Sequence, residues 1–393
     1  MKIGQFGESF IPLFDGVGRV MKAYADTMAN RGHEVYVVAP MYDAGYRGQY
    51  PFEIVDYVSI QPSNKMPWHI GIDMLDPHFK ARLNQIDFDI CHVHSPILTG
   101  VLGVNWARKL GIPVVGSFHT KFYDDILQVT GSKTIATIGA SLIADFYEGC
   151  DEVWAVSEGS AETLRSYGYK GEIVVMPNGT YKRPLNVARL PEIREKFKLR
   201  TDVPIILFVG QISWKKNLKK VIESCGLLKK DGFKFQLVMA GRGPDEEGVK
   251  ELLETMNITE DTVMTGHLTD IEELDALYSM ASLFLFPSIY DTFSLVLREA
   301  ASQYVPGLVV EGTCAAEDVK HMDNGLLAKD DSQDIFNVMK EFFSLPEEKQ
   351  KAIGQRAYDT LPIMWDGPLM DKILKRYENL IANYSMKNRT QIL

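Results

Sequence analysis

Pro204-Ile205-Ile206-Leu207-Phe208-Val209-Gly210 is the stretch that decides the fold. It is a short, uninterrupted apolar run ending on glycine, the pattern of a strand buried on both faces. A Lys-flanked helical segment follows from about Asn217 to Lys230, and Phe235-Gln236-Leu237-Val238-Met239-Ala240-Gly241 then repeats the strand. Helix, strand and helix come again after it. The run is decisive because it restarts an alternation already present in the first half. There Lys2–Phe6, Glu34–Ala39, Phe88–His94, Ile112–His119 and Glu152–Val156 read as strands with helical segments between them. The first helix runs through Val17, Val20, Met21, Tyr24 and Met28 and closes at Arg31-Gly32-His33. Such alternation builds a parallel sheet covered on both faces. Two doubly wound α/β domains in sequence are the simplest account, with a boundary in the charged segment Leu190–Asp202. From Asp366 to Tyr384 the pattern is that of one long amphipathic helix.

A chain of 393 residues exceeds what one core usually supports, which agrees with two domains. Apolar and charged contents of 46% and 24% belong to an ordinary globular protein. No apolar run approaches the length that spans a bilayer, and the chain starts directly on a strand-like segment, so the expectation is a protein without a signal peptide. Cys91, Cys150, Cys225 and Cys314 are far apart, with no C-x-x-C spacing. Neither a metal site nor a disulfide framework is expected, and a reducing cytoplasm is the natural compartment. The net charge of −10 is uneven: residues 1–200 hold 21 Lys/Arg against 22 Asp/Glu, and residues 201–393 hold 21 against 30. That balance argues against a nucleic-acid partner. It leaves peripheral contact of the near-neutral first half with a membrane open.

In open α/β sheets, ligands bind beyond the carboxyl ends of the strands, so the polar residues there carry the chemistry. The richest such segment is Pro287-Ser288-Ile289-Tyr290-Asp291-Thr292-Phe293-Ser294-Leu295-Val296-Leu297-Arg298-Glu299-Ala300, after the aromatic-rich strand run Ala281–Phe286. Asp291 is expected in the loop before a helix, and Glu299 about two turns along it on the face that Leu295 shares. Amides from Thr292 to Leu295 at the helix start would suit an anion. Amide donors for phosphate and carboxylates for hydroxyls together suit a nucleotide-sugar. A solvated turn Asp and a surface Glu are the plainer alternative.

After the first strand, Asp15-Gly16-Val17-Gly18-Arg19 offers two glycines at a helix start, where backbone can approach a phosphate closely. The third glycine of a G-x-G-x-x-G fingerprint is absent, since Met21 stands there, which disfavours a nicotinamide dehydrogenase. His94 and His119 end strands, where an imidazole can donate to a sugar hydroxyl or a backbone carbonyl. A histidine satisfied within the sheet rim is the other reading of each. Gly210-Gln211-Ile212-Ser213-Trp214-Lys215-Lys216-Asn217 joins a strand to a helix, and Lys216 is placed to neutralise charge on a departing diphosphate. Lysines at a helix start oppose the helix dipole, a small local cost. Gly241-Arg242-Gly243-Pro244 and Thr265-Gly266-His267-Leu268 end two further strands and can wrap a base or ribose.

These residues, in this order, resemble the family-4 retaining glycosyltransferases of the GT-B fold over nearly the whole chain. The resemblance rests on Gly16–Gly18, His92–Pro96, His119, Pro177-Asn178-Gly179, Gly210–Asn217, Gly241–Pro244, Thr265-Gly266 and Asp291–Glu299. The opening, with its Asp-Gly-Val loop and Arg31–Tyr36, is also similar to bacterial diacylglycerol glucosyltransferases. The resemblance implies two Rossmann-like domains facing across a cleft. One would be an acceptor domain over residues 1–190, to which a C-terminal helix over about 366–393 returns. The other, over 203–365, would hold the nucleotide-sugar. Glu299 would bind ribose hydroxyls, and Asp291 the hydroxyls of the transferred hexose with the amides of Phe293, Ser294 and Leu295. Lys216 would contact the diphosphate, with Gln211, Arg242, His267 and Leu268 completing the donor site, and His119 would contact the sugar. The leaving phosphate would itself help deprotonate the acceptor, so neither cofactor nor metal is implied. A UDP-sugar is the expected donor, and a carbohydrate or lipid-linked hydroxyl in cell-envelope glycan synthesis the expected acceptor. The compartment would be the cytoplasm or the inner face of the membrane.

The chain departs from the family pattern at Asp291, usually Glu, at Ser294, usually Gly, and at Gln211, commonly Arg. Arg242 and Arg19 are candidates to replace that lost cation. Where the family often has Gly-Gly, this chain has Glu311–Glu317. Two rival readings follow: a catalytically silent partner subunit of an active transferase, and a sucrose-phosphate-synthase-like enzyme. The second needs a phosphate site in the first domain, for which Arg19, Lys65 and Lys121 are candidates. Tyr46, Tyr50 and Trp68 would either shape the acceptor pocket or pack its loops together.

Overall fold

The computed structural model describes residues 1–10, 15–42, 49–61 and 69–390, with side chains to residue 385. Lys65, Tyr46 and Trp68 lie outside the described residues. The chain divides into two compact units, one of Met1–Gly179 with Met364–Leu393, the other of Thr180–Ile363.

In the first unit the strands are β1 (Lys2–Phe6), β2 (Glu34–Pro40), β3 (Glu53–Tyr57), β4 (Ser59–Ile60), β5 (Ile70–Gly71), β6 (Ile90–Val93), β7 (Val114–Phe118), β8 (Glu152–Ala155) and β9 (Ile173–Val175). Seven of them form a sheet in the order β3-β2-β1-β6-β7-β8-β9. Its pairs are all parallel, while β4 and β5 form a separate antiparallel pair. Phe6, Val38, Cys91, Val93 and Val114 lie fully buried in its core, as strands covered on both faces require. Strands β3 and β9 were not expected from sequence. They are the sheet's two edges, and neither carries a continuous apolar run: β3 alternates in burial, and β9 is half-buried throughout.

In the second unit β10 (Ile205–Val209), β11 (Gln236–Ala240), β12 (Thr262–Gly266), β13 (Leu283–Leu285), β14 (Gly307–Val310) and β15 (Leu326–Ala328) form a parallel sheet in the order β12-β11-β10-β13-β14-β15. This is the doubly wound order, which reverses direction between its first and fourth strands. The decisive run Ile205–Val209 is its first strand and is entirely buried.

The expected boundary segment Leu190–Asp202 and the residues just before it lie on the second unit, where their charges have partners. Arg183 forks onto Asp275 at 2.6 and 2.7 Å, Arg189 reaches Asp270 at 2.7 Å, and Lys196 pairs with Glu273. The terminal helix belongs to the first unit. It starts at Met370 rather than Asp366, because Gly367 at φ 132° and Pro368 break the preceding turn. Tyr377 stacks on Trp154 with ring centroids 5.6 Å apart, and its hydroxyl meets His92 Nδ1 at 2.6 Å. Among the described residues no helix is long and apolar enough to cross a membrane.

Candidate active site

At the switch point of the second sheet, the loops after β10 and β13 meet. The first makes a tight turn over Trp214–Lys216 and passes through Asn217 at φ 59° into the helix Leu218–Lys230. Asn tolerates this left-handed conformation because its short amide finds local partners. Here Asn217 Nδ2 donates to Pro287 O at 2.9 Å and to Asp330 Oδ1 at 2.8 Å. That tie draws the two loops together, and Lys216 Nζ donates to Asp291 Oδ1 at 2.8 Å. Ser288 Oγ donates to the other oxygen of the same carboxylate. The lysine and aspartate side chains are 18% and 20% exposed, so a ligand can reach both. The Tyr290 ring lies 5.2 Å from Lys215 Nζ and 5.5 Å from Lys216 Nζ.

The helix after Asp291 is Leu295–Ala301, so Glu299 sits one turn into it rather than two. Glu299 is buried and accepts from Tyr278 OH at 3.3 Å. Its charge also reaches Arg183. Burial lowers that guanidinium, but the Asp275 fork more than offsets it and Glu299 adds to the rise. Ser294 stands ahead of the helix at φ 58° and ψ 74°, the conformation glycine adopts freely, and its buried Oγ has no hydrogen-bond partner among the described residues. This accounts physically for a glycine in the family pattern. Phe293 is buried against the Arg298 guanidinium, 4.1 Å from the ring centroid.

The glycine turns pack backbone on backbone. A Cβ on Gly241 would lie 1.8 Å from Gly210 O, and one on Gly243 would lie 2.1 Å from Ile212 O. Only glycine lets the β10 and β11 loops approach this closely. Gln211, Arg242 and His267 are exposed at these strand ends and Leu268 is half-buried. Of the expected donor residues, the structure joins Lys216 directly to Asp291; Glu299 has Tyr278 as its described hydrogen-bond partner, and Arg242 lies beside Gly266.

His119, Gly16 and Gly18 belong to the first unit. Gly16 opens the helix Gly16–Asn30, and the amide of Gly18 is already taken by the Asp15 cap at 2.7 Å. His119 follows β7 and its Nε2 lies 3.2 Å from His94 Nδ1. His94 Nε2 in turn meets Gln5 Oε1 at 2.6 Å. Burial holds His92 and His94 well below the ordinary imidazole range and lowers His119 to about 4, so all three are neutral near pH 7. Tyr50 stacks on Phe52 with centroids 5.1 Å apart, so its ring serves to pack the loop.

Four polar side chains were not singled out in the sequence. Tyr278 and Ser288 become visible only through the carboxylates they serve. Gln5 looked like one polar residue in a buried strand. Glu8 had a usable signal, since it lies just beyond the carboxyl end of β1. Burial raises its pKa against the lowering effect of Thr99, whose amide donates to Oε1. Among the described residues no group of three His, Cys, Asp or Glu is arranged to hold a metal ion.

Residues 14–181 match the family model for Glycosyltransferase Family 4, and residues 190–360 match that for Glycosyl transferases group 1. An alpha-monoglucosyldiacylglycerol synthase of Streptococcus pneumoniae is 26% identical over 317 residues, 78% of this chain and 70% of that protein. A GDP-mannose-dependent alpha-mannosyltransferase of Mycolicibacterium smegmatis is 25% identical over 397 residues, 98% of this chain and 100% of the other. Among solved structures, Anabaena HepE in complex with UDP and glucose superposes with a TM-score of 0.76 at 17% identity, covering 96% of this chain and 100% of that one, a likeness of fold. Matched along both units and carrying two doubly wound sheets, the chain belongs to the family-4, group 1 glycosyltransferases of the GT-B fold.

Proposed function

We propose that this glycosyltransferase moves a hexose from a UDP-sugar to a hydroxyl of a carbohydrate or lipid-linked acceptor, with retention and without a metal ion. The observation that carries the reading is the Lys216–Asp291 pair at the switch point of the second sheet. On donor binding, the diphosphate takes the place of Asp291 as the partner of Lys216. The released carboxylate, steadied by Ser288, accepts from hydroxyls of the hexose with the amides of Phe293, Ser294 and Leu295 beside it. Glu299 receives the ribose hydroxyls, while Gln211, Arg242, His267 and Leu268 serve the diphosphate and base. Gly16, Gly18 and His119 are the first unit's proposed contributions, His119 through a ring nitrogen on the sugar. Lys216 offsets the charge that grows on the departing diphosphate, an electrostatic effect large enough to dominate a rate.

Retention is supported by the names of the two relatives, both of which make alpha products. UDP-glucose and GDP-mannose carry α-linked sugars, so an α product preserves configuration. UDP is favoured by the HepE complex, and GDP-mannose is the second reading because the mannosyltransferase matches along its full length. A lipid-linked acceptor gains support from the helix Lys133–Glu148, whose Ile135, Ile138 and Leu142 are 50%, 57% and 63% exposed along one stripe. Such a stripe suits peripheral contact with a bilayer surface.

Nucleotide release from UDP-, GDP- and ADP-sugars, beside Lys216→Ala and Glu299→Ala, tests the reading. Slow hydrolysis of a UDP-sugar that both variants lose supports it. Hydrolysis of GDP-mannose alone moves the donor to the second reading. Wild-type rates in both variants overturn the site, and nucleotide binding without turnover on any acceptor favours a silent partner subunit.

A further inference from the structure

We propose that Gln5 and His94 are positioning residues that hold His119 in one tautomer, with the proton on Nε2 and Nδ1 as the accepting nitrogen. Direction along the chain of hydrogen bonds is set at its buried end. Gln5 Nε2 lies 3.7 Å from Met28 Sδ. A thioether can only accept, so the amide nitrogen faces the sulfur and Oε1 faces His94. That oxygen cannot donate, and His94 Nε2, 2.6 Å away, therefore carries the proton. A neutral imidazole has a single N–H, so His94 Nδ1 is an acceptor. His119 Nε2, 3.2 Å from it, must then donate.

The neighbouring histidine has partners of a different kind. His92 places Nε2 2.7 Å from Ser117 Oγ and Nδ1 2.6 Å from Tyr377 OH. Hydroxyls both donate and accept, and the Tyr377 hydroxyl is also hydrogen-bonded to the Gln5 side chain, so both contacts of His92 adjust to its tautomer and Gln5 reaches this ring as well. The ring of Tyr24 stands edge-on to both, with centroids 5.2 Å from His92 and 5.5 Å from His94, and closes the cluster against water. Burial keeps the rings neutral, which the argument requires.

The consequence reverses the sense expected from sequence. A hydroxyl that meets His119 through Nδ1 donates to it, so the ring serves as acceptor to the ligand. The identity of that ligand as a nucleotide-sugar rests on the proposed function, whereas the tautomer does not.

Long-range 1H–15N spectra of the full chain labelled with 15N-histidine test this without ligand, with His119→Gln and His94→Gln assigning the two rings. Both rings are expected as Nε2–H with an unprotonated Nδ1. A protonated Nδ1 on His119, or exchange-averaged nitrogens, would overturn the proposal. In Gln5→Met the acceptor is lost, and averaging of both rings is expected in a protein whose circular dichroism is unchanged. Gln5→Glu, which restores an oxygen there, should restore the single tautomer. Rings that stay fixed in Gln5→Met would remove Gln5 from its role. With UDP-glucose added, His119 Nδ1 should shift toward the hydrogen-bonded range, and the donor KM of Gln5→Met should rise about ten-fold, one hydrogen bond's worth. Saturable UDP-glucose binding that leaves Nδ1 unmoved would exclude the ligand contact. Absence of any UDP-glucose binding would count against the donor reading and leave the tautomer to the ligand-free spectrum.

Discussion

Lys216 Nζ stands 2.8 Å from Asp291 Oδ1 across 75 residues of sequence. Each is the other's counter-ion, and under the proposed function each serves a different part of the donor. The pair holds the two loops in register and keeps a partly buried ammonium from lacking a partner. A bound diphosphate can exchange for the carboxylate because both are oxygen anions of similar reach. Under the proposed function, donor binding would swap one charge-assisted hydrogen bond for another instead of desolvating a bare lysine.

Lys216→Ala should lower kcat/KM by at least about a hundred-fold. Asp291→Ala should cost somewhat less, and the double variant little more than Lys216→Ala alone, because the two act as a unit. Both sites are partly solvated, so urea unfolding should show a change of about 1 kcal/mol or less for each. Fully additive losses in activity would show that the two residues act independently.

Tyr278→Phe removes the hydroxyl that donates to Glu299 at 3.3 Å without altering the ring. The donor KM should rise about five-fold and stability should fall by about 1 kcal/mol. Steady-state kinetics with saturating acceptor and a thermal melt measure both. An unchanged KM would separate Glu299 from ribose recognition.

Ser294→Gly relieves a left-handed serine at φ 58° and removes a buried hydroxyl that has no partner among the described residues. The variant should be more stable by about 1 kcal/mol. A rise in melting temperature is the expected result. A fall would mean that the hydroxyl makes a stabilising contact in solution.

Arg298 is 4% exposed, and its guanidinium donates to Asp318 at 2.7 Å and to Leu361 O at 3.0 Å. Asp318→Ala strands a buried cation and should cost about 2 kcal/mol. Adding Arg298→Met should recover part of that loss, since the apolar chain still packs on Phe293 and no unpaired charge remains. Urea unfolding of the single and double variants decides it; a double variant weaker than Asp318→Ala alone contradicts the argument.

The lowered histidines make stability depend on pH. In the unfolded chain His119 takes up a proton near its ordinary 6.5, while in the folded protein burial delays this to about 4. Between those values the unfolded state binds more protons, so stability is fully present above 6.5 and falls as pH drops toward 4. His92 and His94, also lowered by burial, act in the same direction. Chemical unfolding at pH 7 and pH 5 should show the loss, and His119→Gln should reduce it.

Much of the fold was legible because buried parallel strands are written as continuous apolar runs. Ile205–Val209 and Gln236–Ala240 are found within a residue of where the sequence places them, and each is entirely buried. The edges β3 and β9 were not legible, because a half-wet strand carries no such signal. Lys216 and Asp291 could be marked separately, since each follows a strand and polar residues there face ligand. Their pairing could not, because it depends on the order β10-β13, which local pattern does not encode.

The amino-acid pattern by itself determined two alternating α/β halves, the strand ends where chemistry gathers, and the residue types available there. Those properties are local: burial on both faces demands apolar runs, and sharp turns demand glycine. Tertiary structure alone decided that Tyr278 attends Glu299, that Tyr377 of the last helix meets His92, and that Gln5 meets His94 and His94 meets His119. The physical reason is that a hydrogen bond depends on which donor and acceptor the folded chain brings within bonding distance of each other.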